Sequence, residues 1–239
     1  MKNMALGSLV LVRPKLFPHP EATARASGAD DVLEHARVVD SVGEAIADCG
    51  FVAATTSRDR DQNFRVVDVR AAAERIVSEA QASPAAVLFG AERTGLTNAE
   101  LEAAHVLIRI PANEAYLSLN LAMAVQLVSY ELFRAMRGLG DGGVEGSAGD
   151  AGANAQRAVP ARQRDVPLAT PAELERLYVH LAEVLEEIDF RDRTQSGTHL
   201  MGRIRRFLQR AELDQNEANI LRGMLTAVQS RRRTAGGQK

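Results

Sequence analysis

Seven glycines fall between Gly138 and Gly152, in the run "GLGDGGVEGSAGDAG", with almost no apolar side chain to pack. A stretch so poor in buryable surface cannot offset the entropy of ordering its own backbone, so it reads as a flexible linker. Extended over 138–169, it divides the 239-residue chain into parts that must each find their own core. The expected division is a first domain at 1–137, the linker at 138–169, a second domain at 170–233 and a disordered tail at 234–239.

The two sides of the linker carry different periodicities. Before it, short β-rich runs at 8–12, 38–39, 51–55 (FVAAT), 86–89 and 106–110 (VLIRI) alternate with helical patterns at 41–49, 66–82, 98–103 and 119–136. That alternation predicts βαβ units, an α/β class and a mainly parallel sheet, whose ligands sit beyond the carboxyl ends of the strands. After it, everything is helical. Thr170-Pro171-Ala172-Glu173 is a capping box with proline at the first helical position, and it opens a helix to about 188. Leu174, Leu177, Leu181 and Leu185 lie along one face of that helix. Further helices at 198–209 and 215–231 complete a small all-α bundle.

Composition removes several function classes. Trp is absent and aromatics make up only 4%, so the core must be mostly Ala, Val and Leu. One cysteine, Cys49, excludes an intrachain disulfide framework and suits the reducing cytoplasm. No apolar run approaches the roughly 20 residues of a membrane span. The five histidines are scattered without metal-ligand spacing, so no metal is expected. The net charge of −2 conceals an asymmetry. Residues 1–137 carry 14 Lys/Arg against 17 Asp/Glu, whereas 201–239 carry nine against three. A basic end on a slightly acidic body suits an anionic partner, although a solvated helix face gives the same pattern.

Three loops follow three predicted strands: "TTSRDR" at 55–60, "FGAERTGLTNAEL" at 89–101 and "IPANEAYLSLN" at 110–120. The second is not a Walker A loop, because Gly95 is followed by Leu96 and Thr97 instead of Lys and Ser/Thr. Its glycines either make a tight turn or let a ligand approach the backbone. The third puts Asn113, Glu114, Tyr116, Ser118 and Asn120 at the mouth of an apolar helix. Ser118 and Asn120 could simply cap that helix, or the polar lead-in could serve a ligand.

"FGAERTGL" followed by "IPANEAYLSLNLAMAVQLVSYEL" resembles the second and third motifs of the SpoU branch of the SPOUT RNA methyltransferases. The similarity is greatest to TrmJ-type tRNA 2′-O-methyltransferases, which carry Glu-Arg before the second loop glycine, here Glu92-Arg93. It covers nearly the whole chain, including "GADDVLEHARVVDSVGEAIADC". The resemblance implies a SPOUT-type domain in which the third motif threads a loop to make a deep trefoil knot around S-adenosylmethionine, released as S-adenosylhomocysteine. By matching position the cofactor pocket is Thr55, Thr56, Ser57, Gly90, Ile110, Leu117, Ser118 and Leu119. Ser118 is then expected to face the reacting groups, with Glu92 and Asn120 ordering the site. The family's first strand and an Arg that orients the ribose 2′-oxygen lie upstream of "MKNMAL", so this chain is expected to lack them.

The implied reaction is 2′-O-methylation of a tRNA ribose at the anticodon-loop pyrimidine of position 32, with a cofactor- and RNA-binding relative lacking activity as the alternative. Selecting a 2′-hydroxyl makes RNA, not DNA, the substrate class. Arg203, Arg205, Arg206 and Arg210 are the expected RNA contacts, extended by Arg191, Arg193 and the run Arg231 to Arg233. The helix at 119–136 is apolar on most sides, with Leu119, Met123, Leu127 and Tyr130 on one face and Leu121, Val125 and Val128 on others. A second subunit, giving a homodimer, is the family-like way to cover what the sheet leaves bare.

Overall fold

A computed structural model describes residues 1–57, 64–113, 117–138, 166–190 and 200–236. Two parallel sheets form the first domain. β1 (Val10–Val12) pairs with β2 (Arg37–Val39) in a two-stranded sheet. The larger sheet contains β3 (Phe51–Thr55), β4 (Val66–Asp68), β5 (Ala85–Leu88) and β6 (Val106–Arg109), in the order β4-β6-β3-β5, all parallel.

Both faces of that sheet are buried, and the strands sort their residues by parity. Phe51 and Ala53 of β3, with Val106 and Ile108 of β6, enter one core alongside α4 (Val69–Glu79) and α6 (Leu121–Met136). The alternate residues Val52, Ala54 and Leu107 enter the opposite core, against Ile46 of the turn after α3 (Val42–Ala45) and Leu101 of α5 (Asn98–Leu101). Successive side chains in a strand point to opposite faces, and a sheet covered on both sides therefore needs apolar residues at every position. The remaining helices α1 (Pro20–Arg25) and α2 (Asp30–Glu34) are short, and the sequence pattern did not signal either.

One predicted boundary fails. The run 66–82 reads as a single helix, but Val66 and Val67 pair with Leu107 and Ile108 as strand β4. Two β-branched residues fit a pleated edge, and the Asp68 side chain accepts the Arg70 and Ala71 N–H groups, so the helix can begin only at Val69. Elsewhere in the first domain the element ends differ by at most four residues.

Beyond the linker lie α7 (Pro171–Glu187), α8 (Leu200–Ala211) and α9 (Gln215–Gly236). The Thr170–Glu173 capping box is present. Leu174, Leu177, Tyr178, Leu208 and Ala218 form the centre of this bundle's core. Helix α9 runs through 234–236, into the segment expected to be a disordered tail. Most of the predicted linker, 139–165, is outside the described residues. Its last residues are packed: the Ala169 N–H donates to the Leu213 carbonyl at 2.9 Å, and Leu168 is buried in the first domain's core.

The helical bundle docks on the edge of the large sheet where its strands begin. Arg65, just before β4, pairs with Glu212 at 3.4 Å, and Arg75 of α4 reaches the same carboxylate at 2.8 Å. Arg206 of α8 pairs with Glu102 at 3.3 Å, and Gln209 donates to the Ala104 carbonyl two residues before β6. Among the described residues no helix is long and apolar enough to cross a membrane. Arg75 and Glu212 are only 12% and 15% exposed, so removing one partner strands a largely desolvated charge. Glu212→Ala is expected to cost about 2 kcal/mol in urea denaturation, less than a fully buried pair because both groups keep some solvent and Arg75 retains Glu79.

Candidate active site

The carboxyl ends of β3, β5 and β6 open into one cavity of about 310 Å³, a volume suited to a small-molecule ligand. Thr55, Thr56 and Ser57 line it from the end of β3. Gly90 to Leu96 line it from the loop after β5, and Ile110 from the end of β6. Leu117, Ser118 and Leu119 close it from the lead-in to α6. All eight residues expected to hold the cofactor therefore meet in one place, and Glu92 joins them.

Local hydrogen bonds fix these walls. The Thr55 hydroxyl donates to the Leu88 carbonyl at 3.1 Å, tying the end of β3 to β5. The Thr56 N–H donates to the Ile108 carbonyl at 3.0 Å, tying it to β6. In the 90–95 loop the Gly95 N–H returns to the Ala91 carbonyl at 2.7 Å. A β-carbon on Gly90 would lie 2.2 Å from the Gly95 carbonyl carbon and 2.3 Å from the Leu96 nitrogen. Gly90 is thus required by the loop's own fold, whatever approaches from the cavity. Gly95 is needed for its left-handed φ of 68°. The loop ends at Thr97, which with Glu100 makes a capping box for α5.

Asn120 has a different place from the one its motif suggests. Its side-chain oxygen accepts the Met123 N–H at 2.8 Å as the cap of α6, and it does not line the cavity. It acts on the site by fixing where α6 begins, one residue after Ser118 and Leu119 leave the wall. Ser118 itself is exposed at the mouth. Glu114 and Tyr116 lie outside the described residues. Sequence reasoning overlooked Phe89, Leu121 and Ala124, which also line the cavity. Leu121 and Ala124 are three apart on the first turn of α6, a spacing that could have marked them.

The four arginines expected on RNA divide into two pairs. Arg205 makes a two-pronged contact to Glu175, with Nη2 to Oε1 at 2.7 Å, and its guanidinium lies 4.5 Å over the Tyr178 ring. The Arg205 hydrogen bond holds the Glu175 carboxyl below the usual carboxylate range, and Glu175 in turn raises Arg205. Burial pushes the Tyr178 hydroxyl up to about 12. Arg206 is engaged with Glu102. Both side chains are therefore spent on holding helices together. Arg203 and Arg210 are exposed on α8 and have no ion-pair or hydrogen-bond partner among the described residues. Arg231 is exposed; Arg191, Arg193 and the side chains of Arg232 and Arg233 lie outside the description. Among the described residues no group of His, Cys, Asp and Glu could hold a metal.

With this geometry the comparisons with known proteins agree. Residues 1–130 match the SpoU rRNA Methylase family, and 172–239 match the C-terminal domain of tRNA methyltransferase TrmJ. The chain belongs to the SpoU methylase family. Within it the similarity is to TrmJ. The tRNA (cytidine/uridine-2′-O-)-methyltransferase TrmJ of Photorhabdus laumondii is 40% identical over 96% of this chain and 88% of its own length. The tRNA (cytidine/uridine/adenosine-2′-O-)-methyltransferase TrmJ of Pseudomonas aeruginosa is also 40% identical, over 96% of this chain and 86% of its own. The crystal structure of TrmJ from Z. mobilis ZM4 superposes with a TM-score of 0.75 at 32% identity, covering 96% of this chain and 90% of that one.

The two loop glycines separate by their effects on stability. Gly90→Ala forces backbone atoms apart and is expected to cost about 2–3 kcal/mol. Gly95→Ala has open space for its β-carbon and is expected to cost only about 1–2 kcal/mol of left-handed strain. Urea unfolding of the two variants, compared with the parent chain, checks the order.

Proposed function

We propose that this chain binds S-adenosylmethionine in the cavity at the ends of β3, β5 and β6 and methylates a ribose 2′-hydroxyl in tRNA. The observation that carries the reading is that all eight residues assigned to the cofactor by family resemblance line one cavity. The residues present suit the ligand chemically. Gly90 and Ile110 offer main-chain groups for the polar edges of an adenosine, and Leu96, Leu117 and Leu119 offer apolar surface for its base. Thr55, Thr56 and Ser57 add hydroxyls at the opposite wall. Bound there, S-adenosylmethionine supplies a methyl group that is already electrophilic.

The chain's own contribution is alignment. Ser118, exposed at the mouth of the cavity, is positioned to meet the incoming ribose, and Glu92 and Arg93 on the facing loop flank the same opening. Holding an oxygen in line and removing its proton accounts for most of what such a transfer needs from a protein. A pyrimidine ribose in the anticodon loop, at position 32, is the proposed target, and the pyrimidine part of that reading is supported by the cytidine/uridine specificity in the Photorhabdus laumondii relative's name. A trefoil knot formed by the threaded 110–120 segment and a cytoplasmic location belong to the same proposal.

Assembly into a homodimer is supported by α6. Val128 and Leu132 turn inward to the core, while Met123, Leu127 and Tyr130 remain 51%, 40% and 47% exposed. A row of large apolar side chains at i, i+4 and i+7 beside a ligand cavity is a surface to be covered, and a second copy is the proposed cover. Sedimentation is expected to report about twice the mass of the 25.8 kDa chain, and Leu127→Glu to shift it to a monomer.

Calorimetry with S-adenosylhomocysteine tests the cofactor reading directly: the parent chain is expected to bind it, and Gly90→Val is expected to lose binding through distortion of the loop whose fold requires that glycine. Transfer of radiolabelled methyl to tRNA tests the reaction. Ser118→Ala is expected to lower kcat by about 10-fold or more, the scale of a lost acid–base or positioning group, while cofactor affinity stays within a few-fold. A parent chain that binds neither cofactor nor tRNA would end the proposal.

A further inference from the structure

Helix α8 leaves one face open. Arg203, Phe207 and Arg210 stand at i, i+4 and i+7, so they share a side of the helix. The neighbouring faces are taken. Ile204 and Leu208 point into the bundle core, Arg205 is held by Glu175, and Arg206 and Gln209 hold the first domain. On the open side Phe207 is 60% exposed. A phenylalanine ring in water gives up the burial that normally stabilises it, and it has no polar group to explain its position. It is also bracketed by two guanidinium groups with no partner among the described residues. Lysines and acids around an aromatic would read as a solvated surface; an aromatic between two unpaired arginines is the composition of a nucleobase platform.

Resting on the tRNA reading above, we propose that Phe207 stacks an unpaired base of the RNA while Arg203 and Arg210 hold the phosphates on either side. The occupant is a single-stranded nucleotide, chosen over a protein partner by charge. The segment 201–239 has nine basic residues against three acidic ones. Arg203 and Arg210 would repel a second copy of the same basic face, whereas a polyanion with accessible bases satisfies both the cations and the ring. The base contact carries no charge and the arginine contacts do. This separates their roles: Arg203 and Arg210 give salt-dependent affinity, and Phe207 gives a salt-independent part that needs an unpaired base.

Fluorescence anisotropy of the full chain with tRNA over a salt series tests this. Phe207→Ala is expected to weaken binding by on the order of tenfold, as loss of one stacked base does, with an unchanged slope of log affinity against log salt. Phe207→Trp is expected to bind as well as the parent chain. Arg203→Ala with Arg210→Ala is expected to flatten the slope by up to about two units. Phe207 is mostly exposed, so its removal opens no core, and unchanged thermal unfolding confirms that the variants fold. Parent-like affinity of Phe207→Ala overturns the proposal, and if its sedimentation falls at the same time, Phe207 is a subunit contact instead. Parent chain that binds S-adenosylhomocysteine but no tRNA overturns both this inference and the RNA half of the proposed function, while leaving the cofactor half standing.

Discussion

The central strand pair β3–β6 is the constraint on which everything else depends. Ala53, Ala54 and Thr55 are in register with Val106, Leu107 and Ile108, and residues of alternating parity feed two separate cores. A slip of one residue would exchange the faces and misplace both cores at once, so the register is held from two sides. Because the strands are parallel and end together, their following segments emerge at the same edge. That edge holds the cavity. The site is thus a consequence of a sheet buried on both faces, and the tie from the Thr56 N–H to the Ile108 carbonyl is the last rung of the same ladder.

What the sequence discloses follows from where the deciding contacts lie along the chain. FVAAT and VLIRI are legible because a strand buried on both faces must be apolar throughout. The strand at Val66–Asp68 is not, since its two valines continue the apolar pattern of the helix behind them and only pairing with β6, some forty residues away, makes them a strand. The loops of the cavity were placed by resemblance, with all eight cofactor positions brought together. Their physical reasons were not. Gly90 reads either as a tight turn or as room for a ligand, and the turn decides it, because its β-carbon is excluded by Gly95 and Leu96 of its own loop. Asn120 reads either as a helix cap or as a site residue, and its oxygen caps α6 through the Met123 N–H.

The arginines make the limit plainest. Four guanidinium groups on one short helix look equivalent in sequence, and their helical positions separate only Arg205 from the other three. Their fates depend on acids 30 and 104 residues away, Glu175 for Arg205 and Glu102 for Arg206. Neither distance leaves a trace in local spacing. Once those two are committed to holding helix to helix and domain to domain, the arginines of α8 left open among the described residues are Arg203 and Arg210, and the exposed ring between them becomes the distinguishing feature of that helix face.

The docking of the two domains also bears on what substrate could use them together. The cavity opens where β3, β5 and β6 end, whereas Glu102, Ala104 and Arg65, which receive the helical bundle, lie where β6 and β4 begin. Along β6 the two regions are therefore separated by the length of that strand, on the order of 13 Å for its four residues at about 3.3 Å each. A free nucleoside could not reach from one to the other. A folded polyanion of tRNA size can, with its phosphates on the helical bundle and a single ribose at the mouth of a cavity. The bundle then need contribute nothing to the chemistry. On the proposed function, its effect would be to raise the local concentration of a large ligand at the mouth of the cavity that Ser118 lines.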